Sequence, residues 1–140
     1  MKSLRYYLDT NMLVFILLNT DEINYKVSAL LKESSAILYA SSVAVKELLL
    51  LFRLGKLRTR LYKSGKDILI GLQDYNIEIV YFNQRHLATY SSLHITENHK
   101  DMNDHSIIAQ AISDKITLIS SDHTFEKYTP QGLNFIYNKR

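Results

Sequence analysis

The chain has 140 residues, 46% of them apolar and 22% charged, with one proline, four glycines and no cysteine. That is one globular domain's worth of chain, and it excludes disulfide scaffolds, thiolate metal sites and low-complexity architectures. The net charge of +3 and pI near 9.0 are compatible with an anionic partner, and the longest apolar runs, Met12–Leu18 and Leu48–Phe52, fall far short of the roughly 20 residues a membrane span needs.

Arg5-Tyr6-Tyr7-Leu8 reads as a short strand and Met12–Leu18 as a buried helix, so Asp9, Thr10 and Asn11 lie at a strand-to-helix turn. In an open α/β sheet, that edge is where ligands bind. Met1-Lys2-Ser3 leads directly into the strand, not into a signal-peptide core, which together with the missing cysteines points to the cytoplasm. A second helix is expected from about Asp21 to Lys32, with Ile23, Val27, Leu30 and Leu31 as its stripe. The strand Ala36–Ala40 then leads through Ser41-Ser42, either of which is a good N-cap, into the most informative helix. There Val43, Glu47, Leu50, Leu51 and Leu54 fall at helical spacing, which sets Glu47 on an apolar stripe where a lone carboxylate is costly. A second stripe, Val45, Leu48, Leu49 and Phe52, lies around the same helix, and a helix apolar on two sides needs both the core and another helix or subunit to pack on. From Arg53 to Lys66 six basic residues and no acid surround Tyr62. Lys56, Arg58, Arg60 and Lys63 form either a solvated helical face or a phosphate-contacting surface.

A third strand is expected at Ile77–Phe82, followed by a helix carrying Leu87 and Tyr90 and a polar loop from His94 to Asn103. Asn103-Asp104 opens a helix whose buried stripe is Asp104, Ile107, Ile108, Ala111 and Ile112, ending near Asp114-Lys115. The strand Ile116–Ile119 precedes Ser120-Ser121-Asp122 at another strand-to-helix turn; Phe125 and Tyr128 close a short helix, and Leu133–Tyr137 is a final edge strand. The order β-α-α-β-α-α-β-α-α-β-α-β predicts an α/β/α sandwich around a mostly parallel sheet of about five strands, one domain over residues 1–140.

Asp9, Asp104 and Asp122 sit at helix starts, where a carboxylate can cap free N–H groups and meet the positive end of the dipole. Glu47 lies past the capping position, so its alternative is a buried ion pair. All four fall at the carboxyl edge of the predicted sheet. Four bare carboxylates in one place raise one another's pKa and strain the fold, and a hard divalent cation relieves that repulsion while activating water and polarising a phosphoryl oxygen. Beside a basic surface, that is the chemistry of phosphodiester hydrolysis.

Four segments together, Leu8-Asp9-Thr10-Asn11, Ser41-Ser42-Val43-Ala44-Val45-Lys46-Glu47-Leu48 with Gly55-Lys56 following, His99-Lys100-Asp101-Met102-Asn103-Asp104-His105-Ser106-Ile107-Ile108-Ala109-Gln110-Ala111, and Leu118-Ile119-Ser120-Ser121-Asp122-His123-Thr124-Phe125, resemble the PIN domain. They are most similar to the VapC-type toxins of toxin–antitoxin pairs. The resemblance implies a Mg²⁺- or Mn²⁺-dependent ribonuclease with its acids at Asp9, Glu47, Asp104 and Asp122, an RNA substrate, a cognate antitoxin that reaches into the site, and a homodimer. The doubly apolar helix carrying Val45, Leu48, Leu49 and Phe52 is the expected dimer surface. Asn11, Ser120 and Asp101 are the expected supporting residues. Met102-Asn103-Asp104-His105 stands where many such toxins have Pro-Phe-Asp-Arg, and Ser120 where Thr is commoner; both changes leave the acids in place.

Other readings fit less well. His94, His99, His105 and His123 offer no HExxH motif or Cys pair for zinc, and His105 and His123 point about 100° away from the acids they follow. A haloacid-dehalogenase-type phosphatase needs an acid where Asn11 stands, and a receiver domain needs one after Phe82, where Asn83-Gln84-Arg85 follows. A non-catalytic PIN-like binding module for RNA or protein, and a housekeeping RNA-processing nuclease, remain as alternatives.

Overall fold

The computed structural model describes residues 4–140. Its elements are β1 (Leu4–Leu8), α1 (Thr10–Leu18), a 3-10 turn at Thr20–Glu22, α2 (Tyr25–Leu31), β2 (Ala36–Ser41), α3 (Ser42–Arg53), α4 (Gly65–Asp74), β3 (Ile77–Val80), α5 (Gln84–Ser92), α6 (Met102–Asp114), β4 (Thr117–Ser120), a 3-10 helix at His123–Gln131, and β5 (Phe135–Tyr137). The five strands are all parallel, in the order β3-β2-β1-β4-β5. Right-handed crossovers put the helices that lead away from β1 toward β3 on one face and those that lead back through β4 to β5 on the other. The sheet changes direction between β1 and β4, the crevice where parallel sheets bind their ligands.

β1 and its neighbours are buried on both faces, which is why they read as apolar runs. Tyr7, Leu8, Met12, Leu13, Leu48, Ile68, Leu72, Ile107, Ile108, Leu118, Phe125 and Tyr128 fill the core with almost no exposed surface. Each such side chain is worth roughly 1.5–3 kcal/mol of burial. A buried polar strut crosses this core. Gln110 donates from Nε2 to the Val80 carbonyl (2.9 Å) and to the Tyr7 hydroxyl (3.1 Å), and accepts at Oε1 from Ser41 Oγ (2.6 Å). Tyr7 in turn donates to Asp114 Oδ2 (2.6 Å), which also meets His86 Nε2 (3.0 Å). His86 Nδ1 accepts from the Asn83 amide (3.0 Å), so its ring proton sits on Nε2, facing Asp114. The strut ties α6 to β1, β3 and the N-cap of α3. Among the described residues no helix is long and apolar enough to cross a membrane.

Three expectations change. The helix over Asp21–Lys32 breaks at Ile23-Asn24, because Asn24 accepts the Val27 amide (2.9 Å) and starts a new helix of its own. The basic stretch is not a helical face: residues 54–64 are an irregular, largely exposed connection between α3 and α4. The two stripes of α3 also exchange roles. Val45 and Leu48 are buried in this chain's own core, with Leu49 and Phe52 packed against it, so the surface expected for a dimer is not free. In the stripe carrying Glu47, Leu50 and Leu54 are exposed, Glu47 and Leu51 are half-buried, and Val43 packs against the core. Both stripes are leucine-rich, and periodicity alone does not say which one the sheet covers.

Candidate active site

Asp9 leaves β1 at the carboxyl edge and is 5% exposed. Its Oδ1 accepts the Met12 amide (3.0 Å), which caps α1, and its Oδ2 accepts the Ser120 hydroxyl (2.6 Å) from the end of the neighbouring β4. Ser120, fully buried, accepts the Asp122 amide at the same oxygen (3.0 Å), and Asp122 caps the next helix through the Thr124 amide (2.9 Å). The β1–β4 register, Leu8 beside Ile119, places these turns next to each other.

Glu47 lies in the second turn of α3, half-buried. Thr10 Oγ1 donates to its Oε1, and Asn103 Nδ2 donates to its Oε2 (3.3 Å). Asp104 sits in the first turn of α6 without capping it. Asp101 is the cap, accepting the Asn103 amide (2.9 Å) and the Asp104 amide (3.2 Å). Asp104 Oδ2 instead meets His99 Nε2 at 3.1 Å.

Burial, ahead of all else, pushes the Asp9 carboxyl up to about 7; the Ser120 and Met12 hydrogen bonds pull it down, and the charges of Asp104 and Asp122 push it up again. Asp104 is likewise raised to about 7, first by burial and then by Asp101, Asp122 and Glu47. The predicted acids therefore share one electrostatic neighbourhood. Among the described residues no three Asp, Glu or His side chains are drawn tightly enough to close on an ion as they stand. Both oxygens of Asp9 and both of Glu47 hold protein donors, while among the described residues Asp104 Oδ1 and Asp122 Oδ2 hold none.

Of the supporting residues expected, Ser120 touches Asp9 directly and Asp101 is the cap beside Asp104. Asn11 is exposed on the outer side of α1, and it is Thr10, one residue earlier, that reaches Glu47. Thr10, Asn103 and His99 were not anticipated. A groove of about 440 Å³ opens beside Glu47, lined also by Val43, Lys46, Leu50, Arg53 and Asn103. The cations that border Glu47 there are Lys46 and Arg53, not the four expected from the basic stretch.

A family model, the PIN domain, matches residues 6–129. The chain belongs to the PIN domain family. All four acids of this PIN domain lie within the matched span. No curated protein matches the chain. Among solved structures, VapBC2 from Rickettsia felis bound to a DNA fragment from its promoter superposes with a TM-score of 0.65 at 21% identity, covering 96% of this chain and 98% of that one. DNA-bound VapBC from Salmonella typhimurium gives 0.65 at 16%, with 96% and 98% covered. VapBC-1 from nontypeable Haemophilus influenzae gives 0.63 at 20%, with 98% and 100% covered. At these identities the likeness is one of fold, and it agrees with the parallel α/β/α sandwich of this PIN domain.

Proposed function

We propose that this PIN domain is a Mg²⁺- or Mn²⁺-dependent endoribonuclease, the toxin of a VapC-type toxin–antitoxin pair, with Asp9, Glu47, Asp104 and Asp122 holding the ion. The observation that carries this reading is Asp9. It is a buried carboxylate at the switch point of the sheet with no cationic partner among the described residues, and its charge is opposed by two further acids. A divalent cation is the simplest group that makes such an arrangement favourable. Mg²⁺ is commonly held by only one or two carboxylates and keeps several waters, so the loose spacing of the acids suits a hydrated ion.

Such an ion supplies a water of lowered pKa and charge for a phosphoryl oxygen. The chain's own contribution is orientation. Ser120 and the Met12 amide fix both oxygens of Asp9, and Thr10 and Asn103 fix the two oxygens of Glu47. Lys46 and Arg53 line the groove beside Glu47, where a phosphate backbone would find charge. The likeness to VapBC assemblies supports an antitoxin partner. A partner segment laid in the same groove would meet Val43, Leu49 and Leu50 beside Glu47, a surface suited to apolar side chains flanking a basic one.

The test is cleavage of RNA by purified protein with and without Mg²⁺ or Mn²⁺, beside an Asp9→Asn variant. Cleavage that requires the ion and disappears in Asp9→Asn supports the assignment, and equal cleavage by both proteins defeats it. The capping hydrogen bonds of Asp9 and Asp122 favour one other reading, a scaffold whose acids are structural. Growth arrest on expression, relieved by Asp9→Asn, separates a toxin from that scaffold, and a small open reading frame beside the gene would mark the antitoxin.

A further inference from the structure

His99 lies in the connection between α5 and α6, a stretch otherwise dominated by exposed polar residues, yet it is 8% exposed. Its ring is boxed in by aromatic groups: edge-on to His105 with centroids 4.7 Å apart, and against Tyr128 at 5.4 Å and Phe125 at 6.1 Å. Both ring nitrogens are engaged. Nδ1 meets the Tyr128 hydroxyl at 2.7 Å, and Nε2 meets Asp104 Oδ2 at 3.1 Å. Its carbonyl accepts from His105 Nε2 at 2.9 Å, which pins the backbone as well.

Proton accounting decides the tautomer. The Thr96 amide can only donate, and it donates to the Tyr128 oxygen at 3.1 Å. The Thr96 hydroxyl donates to the same oxygen at 3.3 Å, so the single hydroxyl proton of Tyr128 goes to His99 Nδ1 at 2.7 Å. At the other end an ionised Asp104 can only accept, so Nε2 must carry the hydrogen. Both ends give the same answer. The chain runs from the Thr96 amide through the Tyr128 hydroxyl and the His99 ring to Asp104.

We propose that His99, locked by Tyr128 with its proton on Nε2, is a positioning residue that holds the Asp104 carboxylate in its working orientation. The inference rests on the nuclease reading for what that orientation serves. A buried histidine whose far nitrogen is already fixed imposes a direction on the carboxylate that a mobile solvent molecule does not, and groups in this relation to a metal-binding carboxylate typically govern ion affinity by ~10–100-fold. Tyr128 is fully buried in the core, so the orientation is anchored to the packed interior and not to the connecting loop.

The decisive measurement is the ¹⁵N spectrum of the histidine rings in metal-free protein at about pH 8.5, where Asp104 is ionised. It should show His99 with a protonated Nε2 and a bare Nδ1; Tyr128→Phe alone should keep that tautomer, because Asp104 still requires it, and Tyr128→Phe combined with Asp104→Asn should mix the two. Mn²⁺ titration calorimetry should give ~10–100-fold weaker binding for His99→Ala. His99→Gln, whose amide nitrogen reaches the Nε2 position, should recover most of the loss. In an Asp104→Asn background, His99→Ala should cost no further affinity, because the effect passes through Asp104. A ring protonated on Nδ1, or on both nitrogens, overturns the proposal. So does Mn²⁺ affinity unchanged in both His99 variants, or a full additional loss on top of Asp104→Asn. A parent protein that cleaves no RNA with either ion defeats the nuclease reading instead, and the ring spectrum still decides the relay, in the parent and in Tyr128→Phe with and without Asp104→Asn, even if His99→Ala does not fold.

Discussion

Asp9→Asn should make the metal-free protein more stable while removing its activity, and the gain should grow with pH. In the folded chain the Asp9 carboxyl is raised from 3.8 to about 7, so the folded state keeps its proton where the unfolded chain has lost it. Stability is therefore undiminished below about 4, falls as pH rises from there to about 7, and stays reduced above. The rise of about 3 units corresponds to roughly 4 kcal/mol at full ionisation, at 1.36 kcal/mol per unit. Asparagine abolishes that penalty at modest cost. Its carbonyl can still accept the Met12 amide, and Ser120 Oγ, which already accepts from Asp122, has a lone pair left for the new NH₂. The Ser120 hydroxyl loses its ionised acceptor, worth roughly 1–3 kcal/mol. The net expectation is a gain on the order of 1–3 kcal/mol at pH 8 and little or none at pH 5. Urea unfolding in EDTA at the two pH values measures it. Adding Mg²⁺ should then stabilise the parent and leave the variant where it was. A variant that is less stable than the parent by the same margin at both pH values refutes the claim that Asp9 is a strained buried charge.

Other expectations follow from single contacts. Thr10→Val keeps the side-chain volume but removes the donor to Glu47, so Mn²⁺ affinity measured by calorimetry should fall ~10-fold with the unfolding midpoint nearly unchanged; undiminished affinity would mean that Glu47 needs no orientation. Gln110→Leu strips the Val80 carbonyl and the Ser41 hydroxyl of their buried partner and should cost roughly 2–4 kcal/mol in urea unfolding, and a cost below about 1 kcal/mol would show the strut is dispensable. Changing Arg58, Arg60 and Lys63 together to Glu should weaken RNA binding and flatten its dependence on salt, and an unchanged salt slope would leave that stretch a solvated loop. Asp101→Ala should cost ~1 kcal/mol of stability by uncapping α6, whereas Asp104→Asn should cost none and still abolish ion-dependent cleavage; the reverse pattern would make Asp104 the structural residue of the pair.

The strands were legible because a parallel sheet covered on both faces leaves apolar runs that need no neighbours to be recognised, whereas their order in the sheet was not. Asp9, Asp104 and Asp122 were legible as acids because each follows a strand or opens a helix, and Glu47 because it falls on an apolar stripe of α3. What could not be read was which way a doubly apolar helix turns. In α3 the choice between the Val45–Leu48 stripe and the Glu47–Leu50 stripe is made by where β2 delivers the helix, not by the helix itself. The groups that orient the acids were equally hidden. Thr10 reaches Glu47 across 37 positions and Asn103 across 56, and no local pattern predicts such pairs. Asn11 is exposed at the start of α1, and the contact with Glu47 comes from Thr10 beside it. His99 carried a faint signal: a histidine five residues before an acid, in a loop that must be pinned to something for α6 to start where it does.

Capping explains much of the acidic edge and fails where it matters. Asp9, Asp122 and Asp101 each accept an amide at the start of a helix, and a protein with no chemistry to perform could keep all three. Asp104 has no such duty, since Asp101 already serves α6. Glu47 has none either, lying a full turn past the Ser41 cap of α3. Yet both draw dedicated donors, as Asp9 does from Ser120: Thr10 and Asn103 on Glu47, His99 on Asp104. Hydrogen bonds to a half-buried carboxylate that stabilises no helix serve the carboxylate, not the fold. Three helices and a loop converge to hold two oxygen-bearing groups in fixed directions beside a third, Asp9, whose charge is costly where it stands. That combination makes sense for a protein that places oxygens around a cation, and Glu47 and Asp104 give Asp9 two companions that capping does not explain.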